Sequence, residues 1–514
     1  MTSIISNFRN KSASLKTFGL IIGPALFIYF FWFTNLDPKQ PAVSATLAVA
    51  LLMAVWWITE AVPLAVTSLL PVALFPLLNI MDGKDVSATY FNNVIFLFIG
   101  GFMVALAMQK WNLHKRIALK ILMFTGVSPA RILLGFMFAT AFLSMWISNT
   151  ATAMMMIPIV ISVIDKLEES IGKAEVGKYA TGLLLGIAYS ASIGGIATLV
   201  GTPPNLSFAR IFTIYFPEAP EIAFSQWFLF ALPVSAFFFV FVWGYLYLIF
   251  GPRRKSWPRL SHDTFREQYR ELGKTSFEEK SVLAIFILLA ITWLSRSGLD
   301  IGSVSIPGWS QVFGNPSYIN DGTVAIIYAI ILFIIPAKKK SGGRLMDWHS
   351  AKGIPWNIVL LFGGGFALAS GFKDSGLSMW FGEQLNWISS AHPIFVILAI
   401  CLMMTFLTEL TSNTATTEML LPVLAGIGMS GNVNPLIFML PATLSASMAF
   451  MLPVATPPNA IIFGTNRIKM MDMARTGFIL NIAGAVIITL ATYYIGTAIF
   501  DINLNEFPDW AVIK

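Results

Sequence analysis

The sequence predicts an all-α integral membrane protein of eleven transmembrane helices and two re-entrant hairpins, arranged as inverted-topology repeats. Three observations lead there. Of 514 residues, 56% are hydrophobic and 11% are charged, against about a quarter charged in a soluble domain. The pentad Ser148-Asn149-Thr150-Ala151-Thr152 returns as Ser412-Asn413-Thr414-Ala415-Thr416, an offset of 264 residues. Without a gap, the same offset pairs Asn93 with Asn357, Phe98 with Phe362, Gly100-Gly101-Phe102 with Gly364-Gly365-Phe366, Pro129 with Pro393 and Pro158 with Pro422. Downstream, Thr202-Pro203-Pro204-Asn205 has its twin in Thr456-Pro457-Pro458-Asn459. Finally, the basic loops fall so that the two copies run in opposite directions across a membrane.

Taken in order, residues 1–16 are polar and basic (Arg9, Lys11, Lys16), which predicts a cytoplasmic N-terminus and a retained first helix over 18–34. Spans 2 and 3 follow at 42–58 and 62–79. Glu60 between them reads as a boundary group. Span 4 (94–109) ends in Lys110, His114, Lys115, Arg116 and Lys120, a cluster expected inside. The first hairpin, 130–164, then enters from the cytoplasm and returns to a charged loop at 165–178. Span 5 starts near Tyr179 and is broken around Gly194-Gly195 and Gly201–Pro204. It exits by the basic-poor segment Pro217–Glu221. Span 6 (226–250) delivers Arg253, Arg254, Lys255 and Arg259 to the cytoplasm, and the loop to Lys280 reads as lying on the membrane surface.

Span 7 (281–296), a polar outer loop and span 8 (323–336) lead to Lys338-Lys339-Lys340, read as positive-inside retention rather than anionic-lipid binding. Span 9 (356–371) therefore runs outward, opposite to its twin, span 4. The second hairpin, 393–427, enters from outside. Span 10 (436–466) is broken at Pro453 and Thr456–Pro458, and span 11 (477–500) leaves an acidic tail outside. Lys115, Lys255 and Lys339 are thus expected inside, and Glu218 and Asn505 outside.

Each polar pentad lies between apolar arms, and non-helical backbone at membrane depth is tolerated only within protein or beside a water-filled cavity. Small polar residues also glue packed helices. Two copies in matching hairpins favour a site. Helix starts at the tips suit an anion, and broken spans free carbonyls for a cation. No Lys, Arg or His falls within Met145–Pro158 or Leu410–Pro422, so an anion there needs accompanying counter-ions. Ser144, Ser148, Asn149, Thr408, Ser412 and Asn413 supply hard oxygens for an alkali cation. Two equivalent tips suit a small substrate with two anionic ends. Glu409 reads as an acceptor that anchors its tip, with a proton carrier as the alternative.

The two Ser-Asn-Thr tips, the two Thr-Pro-Pro-Asn breaks, Ser144-Met145-Trp146-Ile147 and Thr408-Glu409-Leu410-Thr411 resemble the divalent-anion/sodium symporter family, in particular its bacterial INDY-type sodium/dicarboxylate members. The likeness covers residues 40–500. It implies a homodimer in the inner membrane, each protomer divided into a scaffold and a transport domain that moves as an elevator. On that division residues 1–92 are scaffold helices 1–3, 93–250 repeat 1, 251–356 linker and scaffold helices 7–8, 357–500 repeat 2, and 501–514 an outer tail. The resemblance further implies a C4-dicarboxylate (succinate, malate or fumarate) held by Ser148, Asn149, Thr150, Thr202 and Pro203, with Ser412, Asn413, Thr414, Thr456 and Pro457. Sodium would be ligated by Ser144, Ser148, Asn149 and the Gly201 carbonyl, and by Thr408, Ser412, Asn413 and the Ala455 carbonyl. Sodium symport is favoured over exchange, with citrate or sulfate as alternative anions.

Other function classes fit poorly. A channel needs a continuous polar pore, whereas the polar groups here concentrate at two tips and two breaks. An intramembrane hydrolase needs a nucleophile with a base at membrane depth, and His114, His262, His349 and His392 all fall at loops or boundaries. A single cysteine, Cys401, excludes an intrachain disulfide. No organic cofactor and no nucleic acid are expected; the net charge of +7 is explained by membrane topology.

Overall fold

A computed structural model describes residues 2–252, 263–301, 304–339, 342–504 and 506–512. The predicted inner cluster Arg253–Arg259, Lys340 and the outer marker Asn505 lie outside the described residues.

The chain is helical nearly throughout. Helices α1 (Thr2–Trp32) and α2 (Ala42–Thr59) pack side by side. The predicted third span is instead two short helices, α3 (Leu64–Thr67) and α4 (Leu70–Leu77). Pro63, Pro71 and Pro76 explain this, because each removes a backbone donor from the ladder. After α5 (Gly83–Ala88), α6 (Asn93–Lys110) is capped by Asn92, whose side chain accepts from the Val94 and Ile95 amides.

Two predicted loops are helices. The basic segment after span 4 forms α7 (Leu113–Thr125), which buries Leu113, Ala118, Leu119 and Leu122. Arg116, read as a topology charge, is buried there and forks onto Glu279 at 2.6 and 3.2 Å. The expected charged loop 165–178 is likewise helix on both sides of Gly172. The first hairpin is α8 (Pro129–Ser144) and α9 (Asn149–Ile171), and α10 runs from Lys173 to Gly195. Gly172 has φ +87, a conformation that breaks the rod where L side chains are disfavoured.

Past the first break come α11 (Pro203–Tyr215) and α12 (Phe224–Phe250), then the surface helix α13 (Asp263–Glu271) and α14 (Phe277–Ser295). The outer loop holds a small antiparallel ribbon, β1 (Leu299–Ile301) with β2 (Val304–Ile306). The second half comprises α15 (Asp321–Ile334), α16 (Trp348–Ala351), α17 (Trp356–Asp374), α18 (Leu377–Gln384), the hairpin α19 (Pro393–Leu407) and α20 (Asn413–Ser430), α21 (Leu436–Ala446) and α22 (Pro457–Phe463). α23 (Met470–Ala491) then passes through one π turn into α24 (Thr497–Ile499). Among the described residues six helices are long and apolar enough to cross a membrane, and five further apolar helices are shorter.

The repeat is visible element by element: α6 to α12 correspond to α17 to α23. Its symmetry is legible in the packing. Phe98 on α6 meets its own twin, Phe362 on α17, edge to face at 5.4 Å between ring centroids. A residue that touches its twin lies near a two-fold axis relating the halves. The helix pairs reciprocate as well. α11 packs on α20 while its twin α22 packs on α9, and α10 packs on α22 while α11 packs on α21. Both hairpins are thereby locked against the broken helix of the opposite half.

Candidate functional site

Each hairpin tip is a helix end, a four- or five-residue turn and a helix start. At the first, Ser144 closes α8 and is fully buried. Its hydroxyl donates to Asn149 Oδ1 at 2.6 Å. Ser148 caps α9, its hydroxyl accepting from the Ala151 amide at 3.3 Å. Ser148, Asn149 and Thr150 are half-buried, so the tip presents its polar edge in front of a sealed hydroxyl.

The broken helix stands directly behind. A side chain added at Gly195 would lie 2.7 Å from Asn149 Oδ1 and 3.2 Å from the Gly201 carbonyl. Only glycine allows so close an approach. Ser144, Asn149 and the Gly201 carbonyl therefore gather around Gly195. The unwound stretch between α10 and α11 is held by Asn205, whose buried amide donates to the Thr198 carbonyl at 2.7 Å and lies 3.3 Å from that of Ile196. Thr198 in turn donates to the Met145 carbonyl at 2.6 Å, tying break to tip.

The second tip repeats the arrangement. Thr408 is fully buried, with its hydroxyl 2.6 Å from Asn413 Oδ1 and 2.8 Å from the Ala446 carbonyl. One hydroxyl proton serves only one of these acceptors. Ser412 precedes α20 without a side-chain cap bond, and Ser412 and Asn413 are half-buried while Thr414 is buried. The Thr411 and Thr416 hydroxyls are hydrogen-bonded to each other across the turn. Asn459 reproduces Asn205, its amide donating to the Ala449 and Leu452 carbonyls at 3.0 and 3.1 Å. In both halves the oxygen of this asparagine is buried without a hydrogen-bond partner among the described residues.

Glu409 is placed as an anchor. Its carboxylate accepts from the amides of Phe450, Met451 and Leu452 at 2.7, 2.8 and 2.9 Å, and from the Asn481 side chain at 2.8 Å. It thus takes up the donors freed where the second broken span unwinds.

Of the residues singled out from sequence, Ser144, Asn149 and Gly201 converge in the first half, and Thr408 with Asn413 in the second. Thr202 and Thr456 cap α11 and α22 and are buried; Pro203 is half-buried and Pro457 exposed. Ala455 lies in the same unwound stretch, but the carbonyl that reaches Thr408 belongs to Ala446. Ala446, Thr198 and Asn481 were not legible as site residues. Asn205 and Asn459 carried a signal, their place in a doubled motif. The arrangement offers two oxygen-rich clusters. A small cation suits such a cluster, and a helix start beside it suits an anion.

Comparisons with known proteins give the family. The family model described as the sodium:sulfate symporter transmembrane region matches residues 25–501. The sodium-dependent dicarboxylate transporter SdcS of Staphylococcus saprophyticus is 42% identical over 504 residues, covering 97% of this chain and 95% of that protein. SdcS of Staphylococcus aureus strain MRSA252 is 42% identical over 511 residues, covering 97% and 96%. Among solved structures, MtrF of Neisseria gonorrhoeae, described as illuminating a class of antimetabolite efflux pumps, superposes with a TM-score of 0.55. Its identity is 12%, covering 91% of this chain and 97% of that one. The YdaH transporter of Alcanivorax borkumensis gives a TM-score of 0.51 at 12% identity, covering 87% and 98%. At that identity these two speak for the fold alone.

Proposed function

The chain belongs to the sodium:sulfate symporter family, a family of membrane transporters and not of enzymes, and on that premise we propose that it imports C4-dicarboxylates together with sodium. The observation that carries the reading is the pair of oxygen clusters. Ser144, Asn149 and the Gly201 carbonyl form one, and Thr408, Asn413 and the Ala446 carbonyl the other. Succinate, malate or fumarate would lie between the half-buried tips Ser148-Asn149-Thr150 and Ser412-Asn413-Thr414, with Thr202-Pro203 and Thr456-Pro457 alongside. Sodium would occupy the clusters behind, where Ser148, Ser412 and Ala455 complete the sets expected from sequence.

Charge bounds the stoichiometry from below. The tips carry no cationic side chain, so two sodium ions leave the loaded carrier of a dianion neutral, and a third makes it net positive. A potential of 100 mV contributes about 2.3 kcal/mol per charge moved. We favour electrogenic symport. In the same reading the chain crosses an inner membrane eleven times, N-terminus inside and C-terminus outside. It works as a homodimer; within the two repeats α6, α7, α17 and α18 stay with the scaffold helices, and the hairpins with α10–α12 and α21–α23 move as one body against them.

Linked stability tests the binding half of the proposal. A ligand that binds only the folded state raises stability by RT ln(1 + [L]/Kd), about 2.7 kcal/mol at a hundred-fold excess over Kd. Succinate should raise the unfolding temperature of the purified protein in sodium and not in potassium. Stabilisation by sulfate or citrate instead of succinate would redirect the substrate, and an effect of succinate independent of sodium would remove the coupling.

A further inference from the structure

The second hairpin buries a carboxylate that the site does not use. Glu418 stands on α20, more than a turn beyond Asn413, with no solvent exposure. Ser207 of α11 donates to its Oε1 at 3.0 Å, while Oε2 has no hydrogen-bond partner among the described residues. The carboxyl is pressed against α17: a Cβ at Gly365 would lie 2.2 Å from Glu418 Cδ and 2.3 Å from Oε2. The preceding glycines seat the neighbouring groups in the same way, Gly363 under the Tyr90 ring and Gly364 under Ser68.

Among the described residues the surroundings supply no counter-charge. Of the helices packed on α20, α2 and α21 carry no titratable side chain. α18 offers Glu383, and α17 holds Lys373 and Asp374 at its far end. α11 bears Arg210 and Tyr215, and no ion pair joins Arg210 to Glu418. Tyr90, in the turn between α5 and α6, is near the carboxyl, but its hydroxyl is spent on the Ser68 carbonyl at 2.5 Å. A carboxylate held this way would be an unpaired charge without solvent. The close contact with Gly365 leaves no room for a metal ion, whereas a proton takes none. The twin position in the first half is Met154, exposed and neutral. The feature therefore belongs to one half only and is not part of the doubled site.

We propose that Glu418 is a proton-binding site, carrying its proton where α20 and α11 lie against α17. Its role in transport rests on the reading given above: α20 and α11 belong to the body that moves, and α17 to the frame. A neutral acid can slide along α17 at Gly365, while a carboxylate would be held back by its need for water. Transport then requires the proton and fails when alkaline solution removes it.

Two measurements test this, one of them independent of transport. In the infrared spectrum of the purified protein at neutral pH, E418Q should lose a protonated-carboxyl band that the native protein shows. E418M, carrying the residue of the twin position, serves the same purpose should E418Q not fold. Loss of a carboxylate band instead would overturn the proposal. In proteoliposomes with saturating sodium, succinate uptake by the native protein should fall several-fold from neutral to alkaline pH, where the substrate stays a dianion. E418Q should keep its uptake across that range. Identical alkaline profiles in the two proteins would overturn the role in transport. If neither protein takes up succinate, the substrate reading fails while the infrared result still decides the proton site.

Discussion

The two hairpins share their tips and differ in what braces them. In the first, the break is tied to the tip by a neutral bond, Thr198 to the Met145 carbonyl. In the second, Glu409, the twin of Met145, accepts from three successive backbone amides and from Asn481. The second half also buries Glu418 where the first exposes Met154. The tip residues are equivalent in the two halves, as are Asn205 and Asn459, which hold the breaks, whereas the groups that brace tip to break differ. On the proposed function a two-ended substrate calls for equivalent tips, and nothing in a pseudo-symmetric fold calls for equivalent braces.

The sharpest way to break this comparison is to charge the tips. Asn149→Asp and Asn413→Asp each place a fixed negative charge beside a dianion, and each should abolish succinate uptake while leaving a folded protein. Uptake and size-exclusion profile are the measurements. Unequal losses, or normal uptake in both, would end the equivalence of the tips.

The braces should respond unequally. Glu409→Ala strands three backbone amides, that of Phe450 buried and those of Met451 and Leu452 part-buried, and should cost about 3–5 kcal/mol of stability. Glu409→Gln, which still accepts, should recover part of it. Thr198→Val removes one neutral bond and should cost about 1 kcal/mol. Thermal unfolding in detergent reads all three, and equal losses from Glu409→Ala and Thr198→Val would contradict the contrast.

How much of this was legible beforehand follows from the same division. The doubled pentads and Thr-Pro-Pro-Asn breaks announced themselves because each is a local run of unusual residues in an apolar chain. Asn205 and Asn459 could be found through their motif, although their work, holding the unwound stretches, needed coordinates. The Ala446 carbonyl could not be found, because a backbone acceptor leaves no trace in residue identity. Nor could the environment of Glu418, which is assembled from Ser207, Gly365 and Tyr90, all distant in sequence. α7 was missed for a different reason: its Lys and Arg residues suggested a loop, while the helical spacing of Leu113, Arg116, Leu119 and Leu122 buries one face.

The smallest effect lies outside both hairpins. Lys110 contacts Asp347 at 2.6 Å near the end of α6. With the Ser350 amide, its ammonium holds the Asp347 carboxyl well below the usual range. Because the folded value is the depressed one, the contribution is complete above the ordinary carboxylate pKa of about 4 and is lost as pH falls towards the folded value. The pair is partly exposed, so Lys110→Ala should cost less than about 1 kcal/mol near neutral pH. Denaturation compared at neutral and acidic pH checks this: the gap between native and variant protein should close on acidification.

The central claim is that two oxygen-rich tips move a dianion only in the company of sodium. Uptake of labelled succinate into proteoliposomes, with and without an inward sodium gradient and at two membrane potentials, tests it most directly. The account predicts no accumulation without sodium and faster uptake when the interior is negative. Uptake that persists without sodium and depends on internal dicarboxylate would contradict it and mark the protein as an exchanger.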